Sequence, residues 1–163
     1  MKLFLSKVLK RLAFIGLCIC ILAVVACTAM SDRVIVSLGN YEKREFYTSG
    51  GFQDFTDYAK YYYSSARAAE NEYLKRIQET DMSTINRHLD DFDSWVEAVR
   101  KSDASNELVA NFDFSREIID TEDYFYIVSE ERTLDDDYTK LVKYNMYLFD
   151  TQTQILYYFH NNI

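Results

Sequence analysis

The hydrophobic pattern separates a long apolar run near the start of the chain from a remainder in which apolar and polar residues alternate. Residues 1–11 carry four Lys and Arg, and Leu12 to Met30 contains no charged residue. A basic segment before a run of this length is typical of a secretory signal or of a membrane-spanning helix of about 20 residues. Residues 1–30 are therefore predicted to be a signal peptide or a membrane anchor.

The positive residues also predict the orientation of the chain. Lys and Arg that precede an apolar segment stay on the cytoplasmic side of the membrane. Residues 31–163 are thus expected on the extracytoplasmic face of the cell membrane. The three cysteines, Cys18, Cys20 and Cys27, all lie before this outer part. It therefore has no thiol pair for a disulfide and no thiol nucleophile.

Two later segments carry apolar residues in steps of three and four, which is helical spacing. The first predicts a helix over residues 52–79, and the second a helix over residues 83–101. Residues 31–51 precede these helices and are predicted to be a tether. Within it, Arg33 to Leu38 is either a short strand or irregular, and Glu45 to Thr48 is predicted to be a short extended segment. The two apolar stripes are Phe52, Phe55, Ala59, Tyr62, Ala66, Ala69 and Tyr73, and Ile85, Leu89, Phe92, Val96 and Val99.

After Phe112 the apolar residues recur at every second position, the spacing of a strand with one buried face. Three strands are predicted, over residues 123–132, 140–149 and 155–160, and Phe114 to Ile119 offers a fourth. Their connections, Leu134 to Asp137 and Asp150 to Gln154, are too short for crossover helices, so the strands must be antiparallel. This order predicts an α+β fold, with two helices packed on a 3–4-stranded antiparallel sheet in a single domain over residues 52–163.

The charge balance narrows the class of partner. The chain has 18 Lys and Arg against 26 Asp and Glu, a formal net charge of −8; without the four cations of its first segment the balance is 14 against 26, or −12. Binding to a phosphate backbone needs clustered Lys and Arg, so nucleic acid is not expected as a partner. No Gly-rich phosphate motif followed by Lys-Ser or Lys-Thr occurs, and no cofactor is expected.

Candidate catalytic and metal-binding groups are few. His88 lies on the second predicted helix with Asp91 on the same face, and His160 ends the last strand. A His–carboxylate pair can act as a general base, but no nucleophile motif accompanies either histidine. The carboxylates of Asp90 to Asp93 would point in different directions on a helix, and Asp135 to Asp137 lacks the Gly and the distal Glu of a calcium loop. We therefore expect no catalytic residue and no metal site.

Tyrosine is unusually frequent. All 14 Tyr lie after residue 40, and Tyr61, Tyr62 and Tyr63 are consecutive. Consecutive residues of a helix point about 100° apart, so these three cannot all face one core. Because Tyr combines apolar area with a hydroxyl and is enriched at interfaces, Tyr61 and Tyr63 are candidates for an interaction surface that contacts a protein, a peptide or a glycan. The alternative is that the tyrosine rings pack on the sheet and only their hydroxyls reach water.

Short stretches also resemble known protein classes. Val24 to Cys27 resembles the lipobox of bacterial lipoproteins, which implies cleavage before Cys27 and lipidation of that residue. An uncleaved signal anchor and a plain secreted chain are the alternatives. Residues 46–52, 123–127 and 156–162 resemble small membrane-anchored proteins of Gram-positive bacteria that have no assigned activity. The helix-then-sheet order is similar to that of cystatin-like and NTF2-like domains, which implies a fold and no chemistry.

These features favour a non-catalytic, membrane-anchored extracytoplasmic domain that works by binding. One alternative is a small metal-dependent or hydrolytic envelope enzyme that uses His88 or Asp135 to Asp137. Another is a structural or immunity-type accessory protein that shields a neighbouring envelope component, for which the negative charge suits a basic partner.

Overall fold

A computed structural model describes residues 32–50, 55–133 and 139–162. The chain divides into two units, Met1–Val36 and Ser37–Ile163. In the first unit the described residues are Asp32 to Val36, most of them in helix α1 (Arg33–Ser37). The predicted membrane segment and Cys27 lie outside the described residues. Among those that are described, no helix combines the length and the apolar character needed to cross a bilayer.

The second unit is built on one antiparallel sheet of six strands in the order β1-β2-β6-β5-β4-β3. The predicted α+β class with an antiparallel sheet is confirmed, but the sheet has six strands instead of three or four. The strands are β1 (Lys43–Gly50), β2 (Phe55–Tyr62), β3 (Lys75–Arg76), β4 (Tyr124–Thr133), β5 (Thr139–Asp150) and β6 (Ile155–Asn162). The helices are α2 (Met82–Ser102) and α3 (Glu107–Asn111), with 3-10 turns at Ala68–Glu70, Glu79–Asp81 and Arg116–Ile118.

The predicted helix over residues 52–79 is wrong, because β2, a 3-10 turn and β3 lie there. Strand β2 pairs with β1 on one side and β6 on the other, and every residue from Thr56 to Lys60 is buried. A strand covered on both faces loses the alternation that marks a half-buried strand. Its apolar residues then coincide with helical spacing. The aromatic content of the segment, which favours strands, is the better indicator.

Most of the other predicted elements are confirmed. The second helix and the three C-terminal strands are confirmed as α2, β4, β5 and β6, and the extended stretch at Glu45 to Thr48 is part of the longer β1. Arg33–Ser37 is a helix, not a strand. The fourth strand predicted at Phe114 to Ile119 is also wrong. The ring of Phe114 lies 5.0 Å from those of Tyr157 and Phe159, so this segment crosses the face of the sheet and does not pair at its edge.

The core lies between α2 and one side of the sheet, called here the helix face. The ring of Phe92 on α2 lies 5.2 Å from that of Phe159 on β6 and 5.4 Å from that of Phe112. Strand register places Tyr58 and Met146 opposite Phe159, so these residues share the helix face. Neighbouring residues of a strand point to opposite sides, which defines the far face. Its residues include Asp57, Ala59, Tyr61, Tyr126, Asn145, Tyr147, Phe149, Tyr158 and His160.

Candidate functional site

The structure places the predicted interaction residues Tyr61 and Tyr63 on the far face, one at the end of β2 and the other just after it. Because they belong to an extended segment, they point the same way and Tyr62 points to the helix face. Each has an exposed fraction of 5%. The ring of Tyr41 contacts both, at 5.2 and 6.4 Å. With 44% exposure, Tyr41 is the ring of this group that meets solvent most.

His88 is buried in the core, with 1% exposure. Its Nδ1 lies 2.8 Å from the carbonyl oxygen of Thr84, and because a carbonyl can only accept, Nδ1 carries the proton. The other ring nitrogen, Nε2, is buried without a hydrogen-bond partner. The ring packs edge-on against Tyr144 at 5.0 Å. A histidine enclosed in this way cannot reach a substrate in solution.

The acidic group on α2 is divided between two sets of partners. Asp90 and Asp93 both pair with Arg116, at 2.7 and 2.5 Å. Asp91 points elsewhere and accepts a hydrogen bond from Asn161 at 2.9 Å. The carboxylates therefore do not converge on one point. Asp135 to Asp137 lies outside the described residues, and within the described ranges no three His, Cys, Asp or Glu side chains come together as metal ligands.

A charged network between β1, β2 and the segment after α3 was not foreseen; we call it the Lys60 cluster. The ammonium of Lys60 lies 2.8 Å from Glu45 and 2.6 Å from Asp113. The hydroxyls of Tyr62 and Tyr58 donate to these same two carboxylates, each at 2.9 Å. Only 10% of the Lys60 side chain is exposed, against 20% for Glu45 and 60% for Asp113. The cluster ties three segments together at one side of the helix face.

The protons of the Lys60 cluster are fixed near neutral pH. Hydrogen bonds from Lys43 and Lys60 lower the pKa of Glu45 to about 2. Burial opposes the charge of Lys60, but its hydrogen bonds to Asp113 and Glu45 prevail and raise its pKa. Burial raises the pKa of Tyr58. With a charged lysine, an ionised glutamate and a neutral tyrosine, the cluster has the character of a structural ion network, since general acid–base catalysis needs a pKa near the working pH.

The far face carries a line of touching aromatic rings, called here the aromatic row. It starts at Tyr73, continues over β4, β5 and β6, and ends at Phe55 on β2. Successive ring centroids are 5.8, 6.1, 5.0, 6.5 and 4.7 Å apart, within the range of favourable aromatic contacts. Tyr73 and Tyr126 are half-exposed, and Tyr147 is buried. In order, the members are Tyr73, Tyr126, Tyr147, Tyr158, His160 and Phe55.

His160 is the most polar member of the aromatic row and is 4% exposed. Asn145 Oδ1 accepts hydrogen bonds from His160 Nδ1 at 2.9 Å and from the Tyr158 hydroxyl at 2.8 Å. This leaves Nε2 as a buried acceptor without a hydrogen-bond partner. Burial lowers the pKa of His160, and the nearby charge of Asp57 only partly offsets that effect. The ring is therefore held neutral, with its proton on Nδ1.

Strand register puts a row of polar side chains across the far face. Thr48 stands opposite Asp57, Asp57 opposite His160, and His160 opposite Asn145. Asp57 is 8% exposed, and no hydrogen bond joins it to His160. Thr48 makes no hydrogen bond to Asp57 either, so the described row contains no activated hydroxyl nucleophile. The arrangement offers acceptors for hydrogen bonds next to an aromatic surface.

Sequence reasoning missed the Lys60 cluster and this polar row for the same reason. Both depend on β2 as a strand, in which Asp57 and Lys60 lie on opposite faces, and the segment was predicted to be a helix. Had the aromatic content been given more weight, the segment would have been predicted as a strand, which places Tyr58, Lys60 and Tyr62 on one face and Asp57, Ala59 and Tyr61 on the other. The partners Asp113 and Asn145 are set by long-range packing and carry no local signal.

Comparisons with protein-family models, with curated proteins and with solved structures find no match for this chain.

Proposed function

We propose that this chain is a membrane-anchored extracytoplasmic domain that works by binding a protein partner through the far face of its sheet. The observation that carries the proposal is the aromatic row. Its half-exposed tyrosines, Tyr73, Tyr126 and Tyr158, present rings at the surface of the far face, and the buried rings of Tyr147 and His160 contact them from within the row. Tyrosine supplies large contact area and a hydroxyl at low entropic cost.

The margins of the far face support the same reading. Phe46 on β1 and Val128 on β4 are large apolar side chains with exposed fractions of 39% and 48%. Tyr126, two residues before Val128 on the same strand and the same face, is half-exposed. Exposed apolar side chains around an aromatic centre are typical of surfaces that contact other proteins. The formal charge of −12 after the first segment, 14 Lys and Arg against 26 Asp and Glu, favours a partner with a basic rim.

The alternative of a hydrolytic enzyme has less support. His88 is enclosed by the core, and the ring of His160 is neutral, buried and not bonded to a hydroxyl. Neither histidine has the nucleophile-to-base contact that such chemistry uses. The accessory-protein alternative differs from our proposal only in what the binding achieves, and the same surface would serve it.

Membrane attachment is part of the proposal and depends on the sequence of residues 1–30. Cations before an apolar run, and Val24 to Cys27 at its end, support export and lipidation of Cys27. Mass spectrometry of the mature protein tests this part. We expect an N-terminal Cys27 that carries acyl chains, and a Cys27→Ser variant that keeps its leader. An intact Met1 on a chain recovered from the cytosol would contradict it.

Site-specific photo-crosslinking in intact cells tests the binding surface. A benzophenone amino acid replaces Tyr126 on the far face, and in a matched control it replaces Lys101 near the end of α2, an exposed residue on the other side of the domain. We expect the chain with the label at Tyr126 to give a discrete protein adduct and the control to give none. Adducts of the same size and yield from both positions would argue against the far face.

A further inference from the structure

Strand β1 forms one end of the sheet and has eight residues. Its pairing with β2 is continuous from Lys43 opposite Tyr62 to Gly50 opposite Phe55. Within the described residues, its outer edge receives no backbone hydrogen bond. The other end of the sheet is β3, which has only two residues. A long regular edge strand presents free N–H and C=O groups to which another strand can pair.

The usual devices that protect such an edge are weak in β1. The chain has no proline, and the register of β1 with β2 contains no bulge. Charged side chains occupy only the first three positions, and the third, Glu45, is turned toward Lys60. The side chain of Phe46, next along the strand, points to the far face with 39% exposure. The edge from Phe46 to Gly50 is thus uncharged and begins with an exposed aromatic ring.

We infer that β1 pairs antiparallel with β1 of a second copy of this chain, so that two sheets join into one across a two-fold axis. The edge itself limits the register of such a pair. Residues opposite each other must lie on the same face of the joined sheet, so their numbers must differ by an even number. The two-fold axis then lies between the two copies of one residue, which pair directly with each other. Near the middle of β1 this residue is Glu45, Phe46 or Tyr47.

The contacts favour an axis at Phe46. An axis at Glu45 would place two carboxylates directly opposite each other, which is destabilising. An axis at Tyr47 would centre the pair on a ring that already stacks on Tyr58 at 6.4 Å. An axis at Phe46 brings two exposed rings together and places Arg44 opposite Thr48 of the second copy. This register also pairs seven residues of each strand, from Lys43 to Ser49.

The same register gives Arg44 a second aromatic partner. Its guanidinium already lies 4.3 Å from the centroid of its own Phe46 ring and 5.5 Å from that of Tyr61. In the pair, Arg44 stands diagonally across from Phe46 of the second copy, within reach of a long side chain. The interface is therefore self-complementary, as a two-fold contact must be.

Cysteine crosslinking of the full-length chain tests the pair and its register. In the inferred pair the two residues at position 46 lie about 5 Å apart, while those at position 48 are offset by four residues, or about 13 Å. Both positions are exposed on the same face of β1. Under mild oxidation we expect Phe46→Cys to form a disulfide-linked dimer in several-fold higher yield than Thr48→Cys. The unsubstituted chain, which keeps its own cysteines, gives the background.

Equal dimer yields at the two positions, or no dimer above background at position 46, would overturn the inferred register. Because Phe46→Cys removes the ring itself, sedimentation velocity of the detergent-solubilised full-length chain provides a second measurement. We expect the unsubstituted chain to sediment with the mass of two chains and Phe46→Lys with that of one, with unchanged far-UV circular dichroism. A single-chain mass for the unsubstituted protein at micromolar concentration, or a dimer that survives Phe46→Lys, would overturn the pair. Neither result depends on the proposed function.

Discussion

Lys60→Met is expected to destabilise the fold by about 2 kcal/mol. Methionine keeps the apolar stem of the side chain but removes the ammonium, so Glu45 and Asp113 lose their shared cation. Breaking a fully buried pair costs about 3–5 kcal/mol, whereas an exposed pair contributes about 0–1 kcal/mol. The Lys60 cluster lies between these limits, since 10% of the Lys60 side chain is exposed but 60% of the Asp113 side chain is.

The carboxylates cannot simply turn away in this variant. The hydroxyls of Tyr62 and Tyr58 still hold Glu45 and Asp113 at the site, so the two negative charges remain close together, and only Glu45 keeps a cation, the exposed Lys43 at 2.6 Å. Adding Glu45→Gln to Lys60→Met should therefore recover part of the loss. This recovery identifies the interaction as electrostatic, since the loss of packing would not be reversed by a change at a neighbouring residue.

Urea unfolding followed by the fluorescence of Trp95, the one tryptophan of the chain, measures the change. The matched control is Arg87→Met, which removes an exposed pair with Glu131 at 2.7 Å and should cost less than 1 kcal/mol. If Lys60→Met loses no more stability than Arg87→Met, the Lys60 cluster is effectively solvated and the reasoning from its burial is wrong.

Further predictions concern the core and the titrating groups. Burial lowers the pKa of His160, so the unfolded chain binds a proton at this residue more readily than the folded chain does. The free energy of unfolding should therefore fall as the pH drops below about 6.5. In His160→Gln the urea midpoint should depend less on pH over this range. Because the pKa of Glu45 is lowered to about 2, its ionised form stabilises the fold above its unfolded pKa, and this stabilisation is lost between about pH 4.5 and 2. In Glu45→Gln the urea midpoint should fall less steeply over this acidic range. Phe92→Ala should cost about 4 kcal/mol in urea unfolding because its ring packs on Phe112 and Phe159. His88→Leu removes the unpartnered Nε2 but also the hydrogen bond from Nδ1 to Thr84, so the two effects should largely cancel and stability should change by less than about 1 kcal/mol.

Two of the elements that were predicted from the sequence show a periodic pattern because only one of their faces is buried. Helix α2 shows this for helices: Ile85, Leu89, Phe92 and Val96 are buried and recur at steps of four and three. Strand β4 shows it for strands, since Phe125 is buried on the helix face while its neighbours Tyr124 and Tyr126 are half-exposed. In both, local spacing and final packing agree, so a periodic pattern was sufficient.

The remaining elements are determined by distant contacts. Strand β2 is paired with β1 and β6 at its two edges and is buried on both faces, and β3 exists only through the pairing of Lys75 and Arg76 with β4. Strand β3 has no local signature of its own, and the only local signature of β2 is its aromatic content. The candidate site could not be predicted for the same reason. Asp57 and His160 are 103 positions apart in the chain, and only the register of β2 with β6 places them side by side.

Hydroxyl-radical footprinting of the chain, compared between intact cells and the purified protein, tests the central claim that the far face is the binding surface. Tyr73 and Tyr126 are half-exposed on that face, and Met82 at the start of α2 is half-exposed away from it. The account predicts that Tyr73 and Tyr126 are modified less in cells than in the purified protein, while modification of Met82 is the same in both. Equal modification of the two tyrosines in both samples would contradict it.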